Sequence, residues 1–489
     1  MEEQSFYFFS WQDIKFLQSE LLLVVAWVLA FCGLLLPKKI SSTFVPLTCS
    51  IAFLANIFVL IFFTDIATPV KTTFFWNDLF YQNRLTHYLK ILTSVSAILA
   101  IWIQLSHKKD LSEWFVVLLG GVLSAQFLVV SANIFGVYIS LEMLSICGYL
   151  LVSFSDKGKE KLIASSFNYL AFGAVSAACL LYGFSWWYGV SGSFSIPQIF
   201  ETTLTNTDKS IFLIGFVLIG IGFLFKLAAI PLHFWISEVY KNSSAGTVFF
   251  LATIPKIVAS GVLFFVLSQS IHLSKDLQEI VFSALSLLGV LSAIFGGFLA
   301  IQQSSFKCFF AYSGVAQVGF LLLLLVYNFK YATISENGLL LFWVFYIISN
   351  AIIWKFCAEL ENDDNFLIKD LNKLPISSKL LLSLASLSLA GFPPLGGFLV
   401  KIVVIFIAFQ NYQNEVSSVF LLSLIGVGIA TLIGFFYYLK VPYLLFLKSS
   451  ASKTQNNLPI IRLSTSTLFI SAVLILLNIG LVVFALRWF

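Results

Sequence analysis

The stretch LIGIGFLFKLAAIPLHFW, from Leu218 to Trp235, sets two costly residues inside an apolar run. Lys226 carries a charge that hydrocarbon solvates poorly, and Pro231 removes a backbone donor from a helix interior. His233 follows directly. Runs of similar length and apolarity fill the rest of the chain and set its class. Of 489 residues, 59% are hydrophobic and 10% charged, and the mean hydropathy is +0.97. A soluble domain carries about 25% charged residues, so this chain lacks the polar surface to cover itself. Its apolar runs suit helices, since about 20 residues cross the hydrocarbon core. The alternating, roughly 10-residue segments of an outer-membrane barrel are missing. The composition therefore predicts an all-α polytopic protein of the lipid bilayer, with about 14 transmembrane helices.

The first residues, MEEQSFYFFSWQDIKF, are acidic and aromatic, without the basic region of a signal peptide, so the first apolar run is expected to be kept as a span. Six cysteines (Cys32, Cys49, Cys147, Cys179, Cys308 and Cys357) lie singly, with no C-x-x-C pair. That spacing offers no zinc, iron–sulfur or disulfide framework, and the thiols read as small buried hydrophobes. No basic run is interleaved with aromatics, so a nucleic-acid partner is not expected despite the net charge of +5. No metal site and no cofactor-binding motif stands out. Gly220 and Gly222, in LIGIGF, lack the strand–turn–helix setting of a nucleotide loop.

Basic residues sort by side. About 15 fall in loops after odd-numbered spans, Lys38, Lys39, Lys157 and Lys159 among them, against about eight on the other side, Lys90 among those. Both termini are therefore expected to face away from the cytoplasm or matrix. Five lysines are left at membrane depth. Lys440 lies near a span end and can snorkel, and Lys355 stands one turn before Glu359 as an i,i+4 partner. Lys307, at a helix start, reads as an anchor. Lys226, Lys256 (in VFFLATIPKIVASGVLFFVL) and Lys401 (after LAGFPPLGGFLV) have no such outlet. The only acid as deep is Glu142, in NIFGVYISLEMLSICGYLLVSF. A central charge costs roughly 2.5–3.5 kcal/mol on insertion scales, so these four are candidate ion-pathway groups. A static interhelical ion pair is the competing structural reading. His233 is either a proton relay or a capping residue.

Two spans are interrupted, the seventh at Pro231 and the twelfth at Pro393–Pro394. A broken helix needs protein or water to satisfy its freed backbone, so such breaks face cavities. Interrupted spans at matching places in two halves point to inverted repeats. The expected layout is helices 1–3 in residues 1–110, a first five-helix repeat (helices 4–8) in 111–270, a second (helices 9–13) in 271–448, and helix 14 in 449–489.

The segments GFLFKLAAIPLHFWISEVY, FLATIPKIVA, FKCFFAYSGVAQVGF and LAGFPPLGGFLVK, in this order, resemble the antiporter-like membrane subunits of respiratory complex I. The resemblance runs from about Glu142 to Lys440. It implies a proton-translocating subunit of NADH:quinone oxidoreductase, in the bacterial plasma membrane or mitochondrial inner membrane, acting as part of a translocase without a redox centre of its own. NADH, FMN, iron–sulfur clusters and quinone would belong to the assembled complex, and the partners would be other membrane-arm subunits, neighbouring antiporter-like subunits included. By the same resemblance Glu142, Lys226, Lys256 and Lys401 match the family's glutamate and lysines. The turn ISEVYKNSSAGT departs from the family's Pro-Asp and Gly-Ala-Pro, with Glu238 in place of the acid. A subunit of a multi-subunit sodium/proton antiporter is the alternative, and a structural spacer the third reading.

Overall fold

The computed structural model describes residues 15–63, 72–106, 112–154, 159–202, 206–326, 332–360, 374–414, 418–447 and 464–485. Several loop residues of the orientation count, including Lys71, Lys108, Lys109, Lys157, Lys369, Lys373, Lys453 and Arg487, lie outside them. The helices are α1 (Gln18–Leu34), α2 (Lys38–Phe62), α3 (Arg84–Gln104), α4 (Ser112–Val130), α5 (Ile134–Ser153), α6 (Lys159–Ser191) and the short α7 (Ile196–Glu201). They continue as α8 (Asn206–Leu227), α9 (Ile236–Asn242), α10 (Ala245–Gln269), α11 (Lys275–Gln302), α12 (Phe306–Val326) and α13 (Ala332–Leu360). The last four are α14 (Ile376–Ala390), α15 (Gly396–Asn414), α16 (Ser418–Pro442) and α17 (Thr465–Ala485).

Among the described residues, twelve helices are long and apolar enough to cross a membrane, beside the shorter α1, α14 and α15. Because α14 and α15 flank one break, they make a single passage. With α1, the total comes to the predicted fourteen. The protein is integral to the membrane. Its outer surface agrees: Leu432, Phe436, Phe469 and Leu476 are each about 70% exposed, an arrangement only hydrocarbon makes favourable.

A membrane helix that is apolar all round is enclosed by protein or faces lipid on one side. Helix α10 is enclosed, and every residue from Ala245 to Leu267 is buried. Helix α12 is nearly as covered. Around α10 pack α3, α4, α5, α8, α12 and α13. Small residues set a close approach between α11 and α12, where a Cβ on Gly319 would lie 2.5 Å from the Gly289 carbonyl. Close contact through small residues stands in for hydrophobic drive inside a bilayer. The periodicity gave no sign of the hairpin β1 (Thr73–Phe75) and β2 (Phe80–Gln82) before α3. Its turn residues Trp76, Asn77 and Asp78 all have positive φ, and Tyr81 stacks on Phe265 of α10 at 4.0 Å.

Two expectations need correction. Lys90, counted with the loops, is 1% exposed and lies within α3. Cys32 is exposed on the outer surface of α1, whereas Cys49, Cys308 and Cys357 are buried as read.

Candidate functional site

Both helix breaks are built alike. Helix α8 stops with Ala228 at φ +58°, its N–H bonded to Phe225 O at 3.0 Å and that of Ala229 to Leu224 O at 2.9 Å. Helix α14 stops with Gly391 at φ +82°, bonded to Ser388 O at 3.0 Å, with Phe392 bonded to Leu387 O at 3.1 Å. This is the left-handed closure that satisfies terminal carbonyls, and it is built on glycine in one break and alanine in the other. A cis proline follows three residues later in each, Pro231 and Pro394, the latter after Pro393. The second break is also held from outside, since Asn478 on α17 accepts the N–H of Gly396 at 2.9 Å.

The buried lysines fall into two groups by what their ammonium groups meet. Lys440 donates to the carbonyls of Ile301 and Gln303, at 2.9 and 3.0 Å, closing the end of α11. Lys355 donates to Trp102 O at 2.9 Å and Ser106 Oγ at 2.6 Å at the end of α3, with Glu359 at 3.9 Å. Lys307 reaches Ser243 O at 2.5 Å, after α9. A cation at a helix C-terminus meets unpaired carbonyls and the negative end of the dipole, which accounts for all three.

Among the described residues, Lys226 and Lys256 make no bond to a helix-end carbonyl. Lys226, in the last turn of α8, donates to Ser145 Oγ at 2.5 Å and lies 3.5 Å from Tyr149 OH. Glu142, Ser145 and Tyr149 share one face of α5, three and seven residues apart. Ser145 accepts from Lys226 and donates to Leu141 O at 2.6 Å, so it makes no bond to Glu142, which lies one turn away on the same face of α5. Glu142 Oε1 has no hydrogen-bond partner among the described residues. A cavity of about 10 Å³ lies beside Lys226, walled by Ser145, Tyr169 and Pro255, the neighbour of Lys256.

Lys256 is 1% exposed, and its Nζ has no hydrogen-bond partner among the described residues. It faces Gly314 of α12, where a Cβ would lie 3.8 Å from Nζ and 3.4 Å from Tyr346 OH. Tyr346 in turn lines a cavity of about 20 Å³ shared with Lys401, Gln317 and Ser388, room for about one water. Lys401 donates to Ala390 O, the last carbonyl of α14, so like Lys440, Lys355 and Lys307 it closes a helix end, here at the break, and it lies over the Phe320 ring at 5.2 Å. Ser145 beside Lys226, Tyr346 beside Lys256 and Gln317 beside Lys401 add polar groups next to the deep lysines. Those three polar residues were not singled out from the sequence, because a serine, a tyrosine and a glutamine in apolar helices carry no pattern of their own. His233 is half-buried and its ring meets Tyr312 of α12 at 6.2 Å, turned to the second half of the molecule.

The departing turn after α9 is a helix cap. Ser244 accepts the N–H of Thr247 at 3.4 Å to start α10, and Trp114 donates to Thr247 Oγ1 at 2.9 Å. Glu238 accepts from Asn168 of α6 at 3.3 Å. A second glutamate–lysine pair, missed in the sequence, joins α1 to α3: Glu20 and Lys90 meet at 2.5 Å, both fully enclosed. Ser19 donates to Glu20 at 2.7 Å, and Asn56, Ser94 and Gln126 complete a polar cluster beside the pair. Among the described residues no group of three or more His, Cys, Asp or Glu side chains could hold a metal ion.

Residues 131–426 match the family described as NADH:quinone oxidoreductase/Mrp antiporter, transmembrane. The chain belongs to this family. Among its relatives, the NADH-quinone oxidoreductase subunit N of Pelagibacter ubique is 31% identical over 380 residues, 75% of this chain and 76% of that protein. In fold, the chain is similar to one in the respiratory complex I of Thermus thermophilus, with a TM-score of 0.75 at 22% identity, covering 95% of this chain and 96% of that one. It is also similar to a chain in the Mrp complex of a Dietzia species, with a TM-score of 0.75 at 14% identity, covering 96% and 95%. The fold is shared by both assemblies.

Proposed function

We propose that this family member is a proton-translocating membrane-arm subunit of NADH:quinone oxidoreductase, passing protons along Glu142, Lys226, Lys256 and Lys401. The observation that carries this reading is Lys256: an ammonium inside a wholly enclosed helix, with no helix end to cap and no hydrogen-bond partner among the described residues, next in sequence to Pro255 at the cavity beside Lys226. A stability role does not explain a charge with no partner, because desolvation is then uncompensated. Loss of a proton from one lysine and its capture by the next needs only rearranged side chains and a water at each gap. Separation of the Glu142 carboxylate from Lys226 lowers the lysine's hold on its proton, and approach restores it.

In this reading the twin breaks belong to two inverted repeats, residues 111–270 and 271–448, and open the interior to water from opposite sides. Both termini face the periplasmic or intermembrane side, and the neighbours are other membrane-arm subunits. NADH, FMN, iron–sulfur clusters and quinone are held by partner subunits. The 31% identity to a subunit N favours this assembly over the sodium/proton antiporter.

The purified assembly, reconstituted in proteoliposomes, tests the proposal. Glu142→Gln and Lys226→Met are expected to lower proton uptake per electron while the complex still assembles. An unchanged proton-to-electron ratio in both refutes it. Co-isolation with membrane subunits alone, without flavin or iron–sulfur partners, supports the antiporter instead.

A further inference from the structure

The Glu20–Lys90 pair takes no part in the Glu142–Lys226 site, yet it lies as deep. Its two side chains are 0% and 1% exposed and meet at 2.5 Å. Gln126 of α4 bonds to the Lys90 carbonyl at 3.4 Å, and Leu128, two residues on, walls the cavity beside Lys226. Two residues make about 3 Å of rise and about 200° of turn, so the two Glu–Lys sites flank α4 at nearly one depth. A buried ion pair recovers little of its desolvation cost, which makes stability a weak reason to keep one. Ionisable groups at membrane depth mark ion or proton handling instead.

The surroundings satisfy Glu20 in two protonation states. Ser19 donates to Glu20 Oε2 at 2.7 Å, while Lys90 Nζ faces Oε1. A hydroxyl can donate or accept by turning its hydrogen. With Glu20 ionised, Ser19 donates to Oε2. With a proton on Oε2, the acid donates to Ser19 Oγ, and Oε1 still faces the ammonium as a carbonyl oxygen. The cluster around the pair is held by bonds that this proton does not alter. Asn56 of α2 donates to Ser19 O at 2.8 Å, and Gln126 donates to Asn56 Oδ1 and Ser94 Oγ at 3.1 and 3.0 Å. The groups brought by α2 and α4, Asn56 and Gln126, do not titrate.

A route inward lies along α3. Arg84 and His87 precede Lys90 by six and three residues on one face of the helix. Burial deepens in that order: Arg84 is half-buried, His87 is 5% exposed and Lys90 1%. The charge of Lys90 acts on His87. A neutral imidazole has a donor on one nitrogen and an acceptor on the other, so it passes a proton by taking one and giving up the other.

We infer that Glu20 is a second proton-binding carboxyl of this protein, paired with Lys90 and loaded through His87 from the side at which α3 begins. A proton from water joins one nitrogen of His87, the other nitrogen gives up its own, and that proton forms the O–H bond on Glu20 Oε2. Release runs the same path backwards. The inference does not rest on proton passage along Glu142 and the other deep lysines.

The test is infrared difference spectroscopy of the purified assembly in lipid, perfused in turn with alkaline and acidic buffer. A protonated carboxyl adds a carbonyl band that shifts in heavy water, and comparison of variant with parent assigns it. One such band is expected to be lost in Glu20→Gln and kept in Glu142→Gln, which separates this site from the translocation reading. Ser19→Ala removes the acceptor of the acid O–H and is expected to move the band to higher frequency at unchanged size. That small change carries the test where Glu20→Gln does not assemble. His87→Phe is expected to slow the appearance of the band about a hundredfold, the low end for loss of a positioned proton-transfer group, without changing its final size. A Glu20→Gln spectrum identical to the parent's, a band lost in Glu142→Gln in its place, a band indifferent to Ser19→Ala, or loading as fast in His87→Phe as in the parent overturns the inference.

Discussion

Replacement of Lys256 and of Lys440 by methionine separates a charge kept for transport from one kept for architecture. Methionine has similar length and no charge. Lys440 makes two bonds to helix-end carbonyls, at 2.9 and 3.0 Å. A hydrogen bond to a charged group contributes about 1.5–3 kcal/mol. Because the site is only partly buried, Lys440→Met is expected to cost about 2–3 kcal/mol in total. Lys256 has no such bonds to lose among the described residues. Its removal relieves a burial cost of roughly 2.5–3.5 kcal/mol, so Lys256→Met is expected to be neutral or stabilising by up to about 2 kcal/mol. Function should move the other way, with proton uptake lost in Lys256→Met and kept in Lys440→Met. Stability is read as the unfolding midpoint of the purified assembly in lipid, and function as proton uptake in proteoliposomes. A Lys256→Met protein that unfolds as readily as Lys440→Met, or that pumps normally, refutes the division of the lysines into two groups.

Ser145→Ala removes the hydroxyl that accepts from Lys226, and proton uptake is expected to fall several-fold, with Ser145→Thr retaining most of it; equal rates in both would show that the hydroxyl is a bystander. Gly391→Ala forces a side chain into left-handed backbone at a cost of about 1–2 kcal/mol and sets a methyl 2.6 Å from Lys401 Cδ, so both the unfolding midpoint and proton uptake should drop. In Ala228→Gly the same backbone cost is relieved, and the midpoint is expected to rise. Asn478→Leu uncaps α15 and is expected to cost about 1–2 kcal/mol, measured by the same unfolding assay.

The helices were legible because hydropathy and length decide them: α4, α5 and α10 are apolar runs of 19, 20 and 25 residues. The breaks were legible because proline cannot donate, and the deep charges because so few exist. The contents of the space between them were not. Lys90 stands seven residues into α3, where a loop residue and a buried one look the same in sequence, and only Glu20, 70 positions earlier, gives it a reason to be inside. Likewise Lys355 pairs with Glu359 as expected, yet its stronger partners are Trp102 and Ser106, some 250 residues away. The hairpin at Thr73–Gln82 is too short for periodicity to register. The layout in repeats rests on Pro231 and Pro394, and the structure adds that the backbone before each folds in one manner.

The hold of Lys355 on the end of α3 has a bearing on how the chain could be shortened. A homologue without the first three helices would leave this ammonium with Glu359, at 3.9 Å, as its remaining partner, so truncation there calls for a second change. Either the lysine must give way to an uncharged residue, or another polypeptide must offer carbonyls in the same place. A deletion engineered after residue 106 should therefore express poorly on its own and recover when residue 355 is made methionine.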